Sequence, residues 1–242
     1  MQMQADYSCS FPPIEILGVF DSSVHTMFKT YPTIVNNGWF LYFYLLFLKI
    51  QILYMKLFFY DLETTGLDSQ KNAIHQISGK IIIDGVEKTT FNFKVRPFNG
   101  ALIDETALKI GHVTEEQIMQ YPSCHSNYIE FVTLIQKYVN RFDTGDKFHL
   151  VGYNNASFDN HFLRNFFKVN KDDYFGSYFW SDSIDVMVLA SHYLKHDRHN
   201  IYDFKLKTVA KWLKIEVDAK KLHNAEYDIE LTEKIYNIID KG

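Results

Sequence analysis

Two carboxylates placed two residues apart, Asp61 and Glu63, are the first residues of the sequence whose spacing suggests chemistry. They end a short apolar run that begins at Leu57 and predicts a buried strand. Side chains two apart on a strand leave the same face, and carboxylates held so close repel each other unless a cation lies between them. Mg²⁺ and Mn²⁺ prefer such hard oxygen ligands. The pair by itself is equally typical of a solvated strand end.

The three residues after this pair shift the balance toward a ligand site. Thr64 and Thr65 supply hydroxyl groups that can serve a nucleotide. Gly66 has no Cβ, so the backbone there can approach a ligand closely. The end of the first strand is therefore the first candidate for a metal and nucleotide site.

A third acid, Asp159, follows a predicted strand that ends at Gly152. It falls in the first turn of a helix predicted to begin near Ser157, with Ser157 as the N-cap. Taken alone, this is also the position where an acid is favoured by the helix dipole. Asp159 therefore gains meaning only in combination with the other acids.

A fourth acid, Asp228, is predicted to share one face of the last helix with apolar residues such as Ala225 and Ile235. An acid inside an apolar stripe is costly, so it needs a partner or a metal ion. His223 precedes that helix, whose N-cap is predicted to be Asn224. A loop at this point could bring the imidazole over a carboxylate cluster.

The elements that must position these residues follow from the apolar periodicity. The sequence predicts an α/β protein in which antiparallel strands precede strands mixed with helices. Asp84-Gly85 predicts the turn of a hairpin. The predicted strands are Leu57–Glu63, His75–Ile83, Glu87–Val95 and Phe148–Gly152, and the predicted helices are Glu105–Ile110, Glu115–Met119, Asn127–Val139, Ser157–Phe167, Ile184–Leu194, Phe204–Leu213 and Ala225–Ile239.

Composition limits the function further. The 242 residues carry a formal net charge of −4, which excludes a broad electrostatic clamp on nucleic acid and leaves local contacts or metal ions for any phosphate. Two cysteines are too few for a disulfide framework, so we expect a reducing, cytoplasmic setting. Aromatic residues make up 17% of the chain, a surplus that we expect to lie in the core.

The first 54 residues differ from the remainder. Residues 1–37 show no clear period, and the apolar run from Trp39 to Leu48 is shorter than the roughly 20 residues that span a bilayer. We interpret residues 1–54 as an N-terminal extension outside the catalytic fold, and residues 55–242 as the domain. A membrane span containing Lys49 is the disfavoured alternative.

Together these residues resemble the DEDDh 3′→5′ exonucleases, the family that contains the proofreading epsilon subunit of bacterial DNA polymerase III, ribonuclease T and oligoribonuclease. The resemblance covers Met55 to about Asp240. It is carried by Asp61-Leu62-Glu63-Thr64-Thr65-Gly66, by Asn155-Ala156-Ser157-Phe158-Asp159, by His223-Asn224-Ala225-Glu226-Tyr227-Asp228, and by Asp185 before a helix.

The resemblance implies a ribonuclease H-like mixed sheet, with antiparallel strands 1–3 and further parallel strands flanked by helices. It implies hydrolysis of phosphodiester bonds at DNA 3′ ends with two Mg²⁺ or Mn²⁺ ions, for proofreading or end-trimming, and no small-molecule cofactor. Asp61, Glu63, Asp159 and Asp228 would be the metal ligands, and His223 the general base. The terminal nucleotide would be held by Leu62, Thr64, Thr65 and Phe158.

Several alternatives remain open at this level. RNA could replace DNA because nothing in the motifs reads the sugar, a polymerase could be a partner, and a non-catalytic nucleic-acid-binding or scaffold module could use the same fold. The family often has His-Gly where this chain has Gly111-His112, which makes a nucleotide contact from His112 doubtful. The basic loop from Lys195 to His199 is the better candidate for a contact with the strand.

Overall fold

The computed structural model describes residues 55–222 and 224–241. The predicted extension, residues 1–54, and His223 therefore lie outside the described residues. Within the described ranges, none of the helices combines the length and the hydrophobicity that a bilayer crossing requires.

A five-stranded mixed sheet in the order β3-β2-β1-β4-β5 forms the centre of the described part of the chain. β1 pairs antiparallel with β2 and parallel with β4, and β5 extends the parallel half. The predicted mixed sheet of the α/β class is thereby confirmed. The strands are β1 Lys56–Thr64, β2 Ile74–Ile83, β3 Val86–Lys94, β4 Phe148–Gly152 and β5 Phe179–Asp185.

Helices cover both faces of this sheet. They are α1 Glu105–Ile110, α2 Glu115–Met119, α3 Cys124–Ile135, α4 Asp159–Val169, α5 Val186–Tyr193, α6 Leu206–Trp212 and α7 Ala225–Asp240, with short 3₁₀ turns at Phe175–Ser177 and Arg198–Asn200. Side chains of α3 and α4 pack in one buried cluster with one face of the sheet. Side chains of α5, α6 and α7 pack in a second cluster with the other face.

Alternation along β1 assigns its residues to the two faces. Phe58, Tyr60 and Leu62 enter the first cluster, whereas Leu57 and Phe59 enter the second. Asp61 and Glu63 continue the second set, so they emerge on the side of the sheet that α7 covers.

Three local predictions were wrong. Ile184 and Asp185 end β5 rather than beginning a helix, because β5 adds to the parallel edge of the sheet beside β4. Ser157 is not a helix N-cap: α4 begins at Asp159, Phe158 occupies the cap position, and no side chain caps the helix there. The predicted helix Asn127–Val139 lies earlier in the chain, at Cys124–Ile135, where the Ser123 side chain caps it.

Candidate active site

Cross-strand pairing sets Asp61 and Glu63 in two adjacent polar rows on the α7 face of the sheet. Asp61 lies opposite Ser78 of β2, and Glu63 lies opposite Gln76. The pairing then skips His75 and resumes between Thr64 and Ile74, which makes a β-bulge at the end of β1. Such bulges redirect side chains at the ends of strands.

Asp159 approaches the same end of β1 from helix α4. It is the first residue of α4, only 6% exposed, and the backbone amides of Asp159 itself and of Leu62 hydrogen-bond its carboxylate. Because Leu62 lies between Asp61 and Glu63, this contact ties the start of α4 to the acidic end of β1. Asp228 faces the cluster from the first turn of α7 and is half-buried.

The four carboxyl groups perturb one another electrostatically. Burial raises the pKa of Asp61 well above 3.8, and the charges of Asp159, Glu63 and Asp228 raise it further. Burial and Asp228 raise the pKa of Glu63 to about 7, against an opposing effect of Lys94. Burial is also the main cause that raises the pKa of Asp159 to about 7. The structure therefore brings together the four acids that the sequence had singled out.

The donor set suits a hard divalent cation. Every candidate donor is a carboxylate oxygen, and a divalent cation would remove the mutual repulsion that adds to the effect of burial on the pKa values of the acids. Within the described ranges, no three Asp, Glu, His or Cys side chains are arranged closely enough to enclose an ion. Side-chain rotation of the carboxylates would have to complete the coordination.

A buried carboxylate, Asp185, holds the loop that leads to Asp159. Its Oδ1 accepts hydrogen bonds from the N–H groups of Met187 (3.0 Å) and Val188 (3.4 Å), which caps α5. The same oxygen accepts from the Asn154 N–H at 3.0 Å, and Oδ2 accepts from the Ala156 N–H at 3.2 Å. Asp185 thus joins the end of β5 to the turn between β4 and α4.

The residues expected to meet a nucleotide divide into two groups. Thr65 is fully buried, and its hydroxyl donates to the Leu102 carbonyl (2.8 Å) and accepts from the Ala73 N–H (2.9 Å). These bonds give it the role of an anchor for the turn after β1. Thr64 and Phe158 are half-buried, and the ring of Phe158 packs 5.0 Å from that of Phe162.

His75 is a buried residue of this region that sequence reasoning did not single out. It is 1% exposed, and neither ring nitrogen has a hydrogen-bond partner among the described residues. Burial, followed by the charge of Lys94, lowers its pKa to about 4, so the ring is neutral at pH 7. A Cβ at Gly111 would lie 3.6 Å from both Glu63 Oε2 and His75 Nε2. A histidine at the start of the second predicted strand, next to the polar Gln76, was the available signal.

The two remaining candidates for a contact with the substrate are His112 and the basic loop from Lys195 to His199. His112 is exposed, with a left-handed backbone (φ 53°) just after α1. In the basic loop, the Arg198 guanidinium donates to the Ile201 carbonyl (2.7 Å) and lies 4.8 Å from the centre of the Phe204 ring. Arg198 is therefore engaged within its own loop, whereas Lys195 and His199 are exposed.

Comparison with known proteins extends these observations. A family model described as Exonuclease matches residues 58–236. The chain is 26% identical over 191 residues to a DNA polymerase III PolC-type of Mycoplasmopsis pulmonis (strain UAB CTIP), which covers 78% of this chain and 12% of that relative.

Similar solved structures include E. coli exonuclease I. Its zinc-bound complex with ssDNA has a TM-score of 0.62 at 19% identity, covering 78% of this chain and 41% of that one. Its complex with a dT13 oligonucleotide has a TM-score of 0.61 at 19% identity, covering 76% and 41%. The chain thus spans less than half the length of these proteins, and at this identity the likeness shows a shared fold.

Proposed function

Because the chain belongs to the exonuclease family, whose model spans most of the described residues, we propose that it is a 3′→5′ exonuclease that acts on DNA. It would hydrolyse the last phosphodiester bond of a strand and release a nucleoside 5′-monophosphate, in proofreading or end-trimming. The observation that carries the proposal is the convergence of Asp61, Glu63, Asp159 and Asp228. A non-catalytic module would have no need of four apposed acids.

The family is generally dependent on divalent metal ions, and we propose two Mg²⁺ or Mn²⁺ ions held by the four acids. When bound, the ions supply the positive field that offsets charge on the scissile phosphate and activate a water molecule. The acids orient these ions, and the α4 and α7 contacts hold the acids. Asp159 is fixed by the Leu62 amide, and its loop is fixed by Asp185.

His223 is proposed as the general base on the strength of the resemblance alone. Its ring nitrogen would take a proton from the attacking water, a task that suits an imidazole with a pKa near neutrality. His75 is a weaker candidate for this role, because burial lowers its pKa to about 4.

The terminal nucleotide would lie against the backbone from Leu62 to Thr64, with the Phe158 ring beside it. Phe158 occupies the α4 cap position, immediately before Asp159, and is half-exposed there. An aromatic face in this position can stack on any base. Thr65 would support this surface through the turn that it anchors.

The preference for DNA rests on two relatives. The exonuclease I structures are described with ssDNA and with a dT13 oligonucleotide, and the PolC-type relative is a DNA polymerase. The same polymerase relative is the basis for proposing a polymerase as a partner. Association would be tested by co-purification with the polymerase of the same cell.

The decisive experiment is digestion of 5′-labelled single-stranded DNA, RNA and mismatched duplex with Mg²⁺. We expect a ladder of labelled DNA products that shorten from the 3′ end, and slower loss of RNA. Immediate release of a labelled mononucleotide would show the opposite polarity, and an intact DNA strand would refute the proposed function. A faster loss of RNA would transfer the proposal to an exoribonuclease.

The general base is tested by His223→Ala. We expect turnover to fall between about 10²- and 10⁴-fold, the usual contribution of general base catalysis, with Mn²⁺ affinity retained in calorimetry. His125→Ala is the matched control, because His125 is exposed and hydrogen-bonds Asn170, which lies at the opposite end of α4 from Asp159. Full activity of His223→Ala at neutral pH would refute the assignment.

A further inference from the structure

A lysine faces the acidic cluster, and it forms no ion pair with any of the residues that the structure describes. Lys94 is the last residue of β3, and it lies directly opposite Gln76, which in turn lies opposite Glu63. The three side chains therefore form one row on the α7 face of the sheet. Lys94 is half-buried there, and no carboxylate of the described residues lies within 4.0 Å of its ammonium group.

A neutral amide network holds this lysine in place. The Lys94 ammonium donates to Gln76 Oε1. The Gln76 amide nitrogen donates to Asn92 Oδ1 (3.0 Å) and Ser78 Oγ (3.1 Å), and the Asn92 amide nitrogen donates to Glu226 Oε1 at 2.9 Å. The network connects the lysine to the first turn of α7, so its direction is set by two elements. One of its three N–H donors is used by Gln76, which leaves two for another acceptor.

The charge of Lys94 acts on the cluster. It opposes the rise in the pKa of Glu63, and it contributes to the low pKa of His75. The pKa of Lys94 itself is lowered by burial, with Glu63 and Glu226 acting in the opposite direction. The ammonium group is therefore close enough to interact electrostatically with Glu63 and Glu226, although its hydrogen bond is to the Gln76 side-chain amide.

We propose that Lys94 is a substrate-binding residue whose ammonium group hydrogen-bonds a phosphate oxygen of the terminal nucleotide. The inference rests on the proposed function, since it assigns a further contact at that site. Divalent cations bound beside Glu63 would repel a lysine, and a phosphate between them would convert this repulsion into attraction. A lysine ammonium is a compact charge whose rotatable donors suit a phosphate.

A purely structural role predicts a different result. If Lys94 only compensates the charge of Glu63, its removal makes the cluster more negative and leaves phosphate binding unchanged. If Lys94 binds phosphate, its removal weakens the nucleotide while cation affinity is kept or increased. Opposite effects on the two ligands therefore separate the two roles.

The test is calorimetric titration of the whole chain with thymidine 5′-monophosphate and with thymidine, using Ca²⁺ as the cation. We expect Lys94→Met to weaken the monophosphate about ten- to hundredfold, the effect of losing a charged hydrogen bond, and to leave thymidine unchanged. Lys94→Arg should retain most of the affinity. In the absence of nucleotide, Mn²⁺ should bind Lys94→Met as tightly as the wild type or more tightly.

Lys80→Met is the matched control. Lys80 lies on the same face of the sheet, but its ammonium is paired with Glu233 (2.7 Å) and Glu87 (3.0 Å). Its removal deletes the same charge without the proposed contact, so monophosphate affinity should be unchanged. If Lys94→Met does not fold, Lys94→Gln replaces it, because glutamine can still donate to Gln76 without carrying charge.

Two results would overturn the inference. One is wild-type affinity of Lys94→Met for the monophosphate, and the other is an equal loss of affinity for thymidine. Either can occur while the wild type still degrades DNA, so the proposed function would survive. A wild type that neither degrades DNA nor binds the monophosphate would refute both.

Discussion

The two faces of the central sheet carry different kinds of residues: packed aromatic side chains on one face and the clustered acids of the candidate site on the other. On the α3 and α4 face, Phe58 is fully buried and its ring lies 5.2–5.9 Å from those of five other aromatic residues. On the α7 face, the same strand places Asp61 and Glu63 among other acids, and burial raises their pKa values. The α3 and α4 face stabilises the fold, whereas the concentration of acids on the α7 face destabilises it.

The difference arises within a single strand. Phe58 and Asp61 are three residues apart in β1, and alternation sends them to opposite sides. The aromatic surplus expected in the core is found in the first cluster, whereas at the acidic site the Asp159 carboxylate accepts hydrogen bonds from the backbone amides of Asp159 and Leu62. Substitutions at these two positions should therefore separate activity from stability.

The largest effect is expected from Asp61→Asn. If Asp61 is one of the metal ligands, as proposed, loss of its carboxylate should cost about 4 kcal/mol of transition-state stabilisation, or roughly a thousandfold in turnover. Thermal stability should stay equal or increase, because a buried charge that its neighbours repel is removed. Single-turnover kinetics and calorimetric unfolding measure the two quantities.

Asp143→Asn is the control for this substitution, because Asp143 is exposed and bonds only within its own turn, to the Gly145 N–H. A large loss of stability in Asp61→Asn with activity retained would reverse the roles of the two faces.

The complementary substitution, Phe58→Ala, should act on stability. Truncating a fully buried aromatic ring typically costs about 3–5 kcal/mol, measured by denaturant unfolding. The folded fraction should keep its cation affinity, since the acids lie on the other face. Phe142→Ala is the control: Phe142 is 82% exposed, and its loss should change the free energy of unfolding by less than about 0.5 kcal/mol.

Much of the sheet was predictable from the sequence. The hairpin of β2 and β3 follows from Asp84-Gly85 between a mainly apolar strand and an alternating one, and Asp84 and Gly85 do adopt positive φ angles of 53° and 74°. The sequence did not predict β5, because Ser181 and Asp182 in the middle of the strand are polar and exposed, as residues of edge strands often are. Its last residues then looked like the start of the following helix.

On the α7 face, the sequence predicts only those features of the site that depend on residues close together in the chain. The spacing of Asp61 and Glu63 fixes their common face, and helical periodicity places Asp228. The contributions of Lys94, Gln76 and His75 depend on the pairing of three strands and on a bulge, which the sequence does not display. Asp185 was noted as a motif, but its bonds to the loop before Asp159 required the structure.

A smaller effect is expected from Asp185→Asn. The amide oxygen can keep the three bonds made by Oδ1, which preserves the cap of α5, but the amide nitrogen would then face the Ala156 N–H as a second donor. The loop should shift and displace Asp159, so the Mn²⁺ concentration for half-saturation should rise about 10- to 100-fold. Calorimetric Mn²⁺ titration measures this directly.

Ser123→Ala tests whether weakening a helix cap is by itself enough to change cation affinity, in case the α5 cap is also disturbed in Asp185→Asn. Ser123 caps α3 through the Ser126 N–H, and its removal should cost about 0.5–2 kcal/mol with no change in cation affinity. Wild-type Mn²⁺ affinity in Asp185→Asn would show that Asp185 serves the α5 cap alone.

The smallest expected effect is a pH dependence that belongs to the acidic face. In the folded protein, burial first and neighbouring charge second raise the pKa of Glu63 from 4.5 to about 7, and that of Asp159 rises from 3.8 to about 7. A carboxyl whose folded pKa is raised stabilises the fold while protonated, below its unfolded value, and this contribution is lost as pH rises through the folded value. Without divalent cations, stability should therefore fall between about pH 4 and pH 7.

Comparison of the wild type with Asp61→Asn isolates this effect from the other titrating groups. The wild type should lose a few degrees of melting temperature relative to the variant across this range, since each kcal/mol corresponds to about 2–4 °C in a domain of this size. Mg²⁺ should restore the loss at pH 7 in the wild type more than in the variant. Parallel profiles of the two proteins in chelator would mean that the carboxyl groups of Asp61, Glu63 and Asp159 do not titrate as one cluster, and the contrast between the two faces would then rest on packing alone.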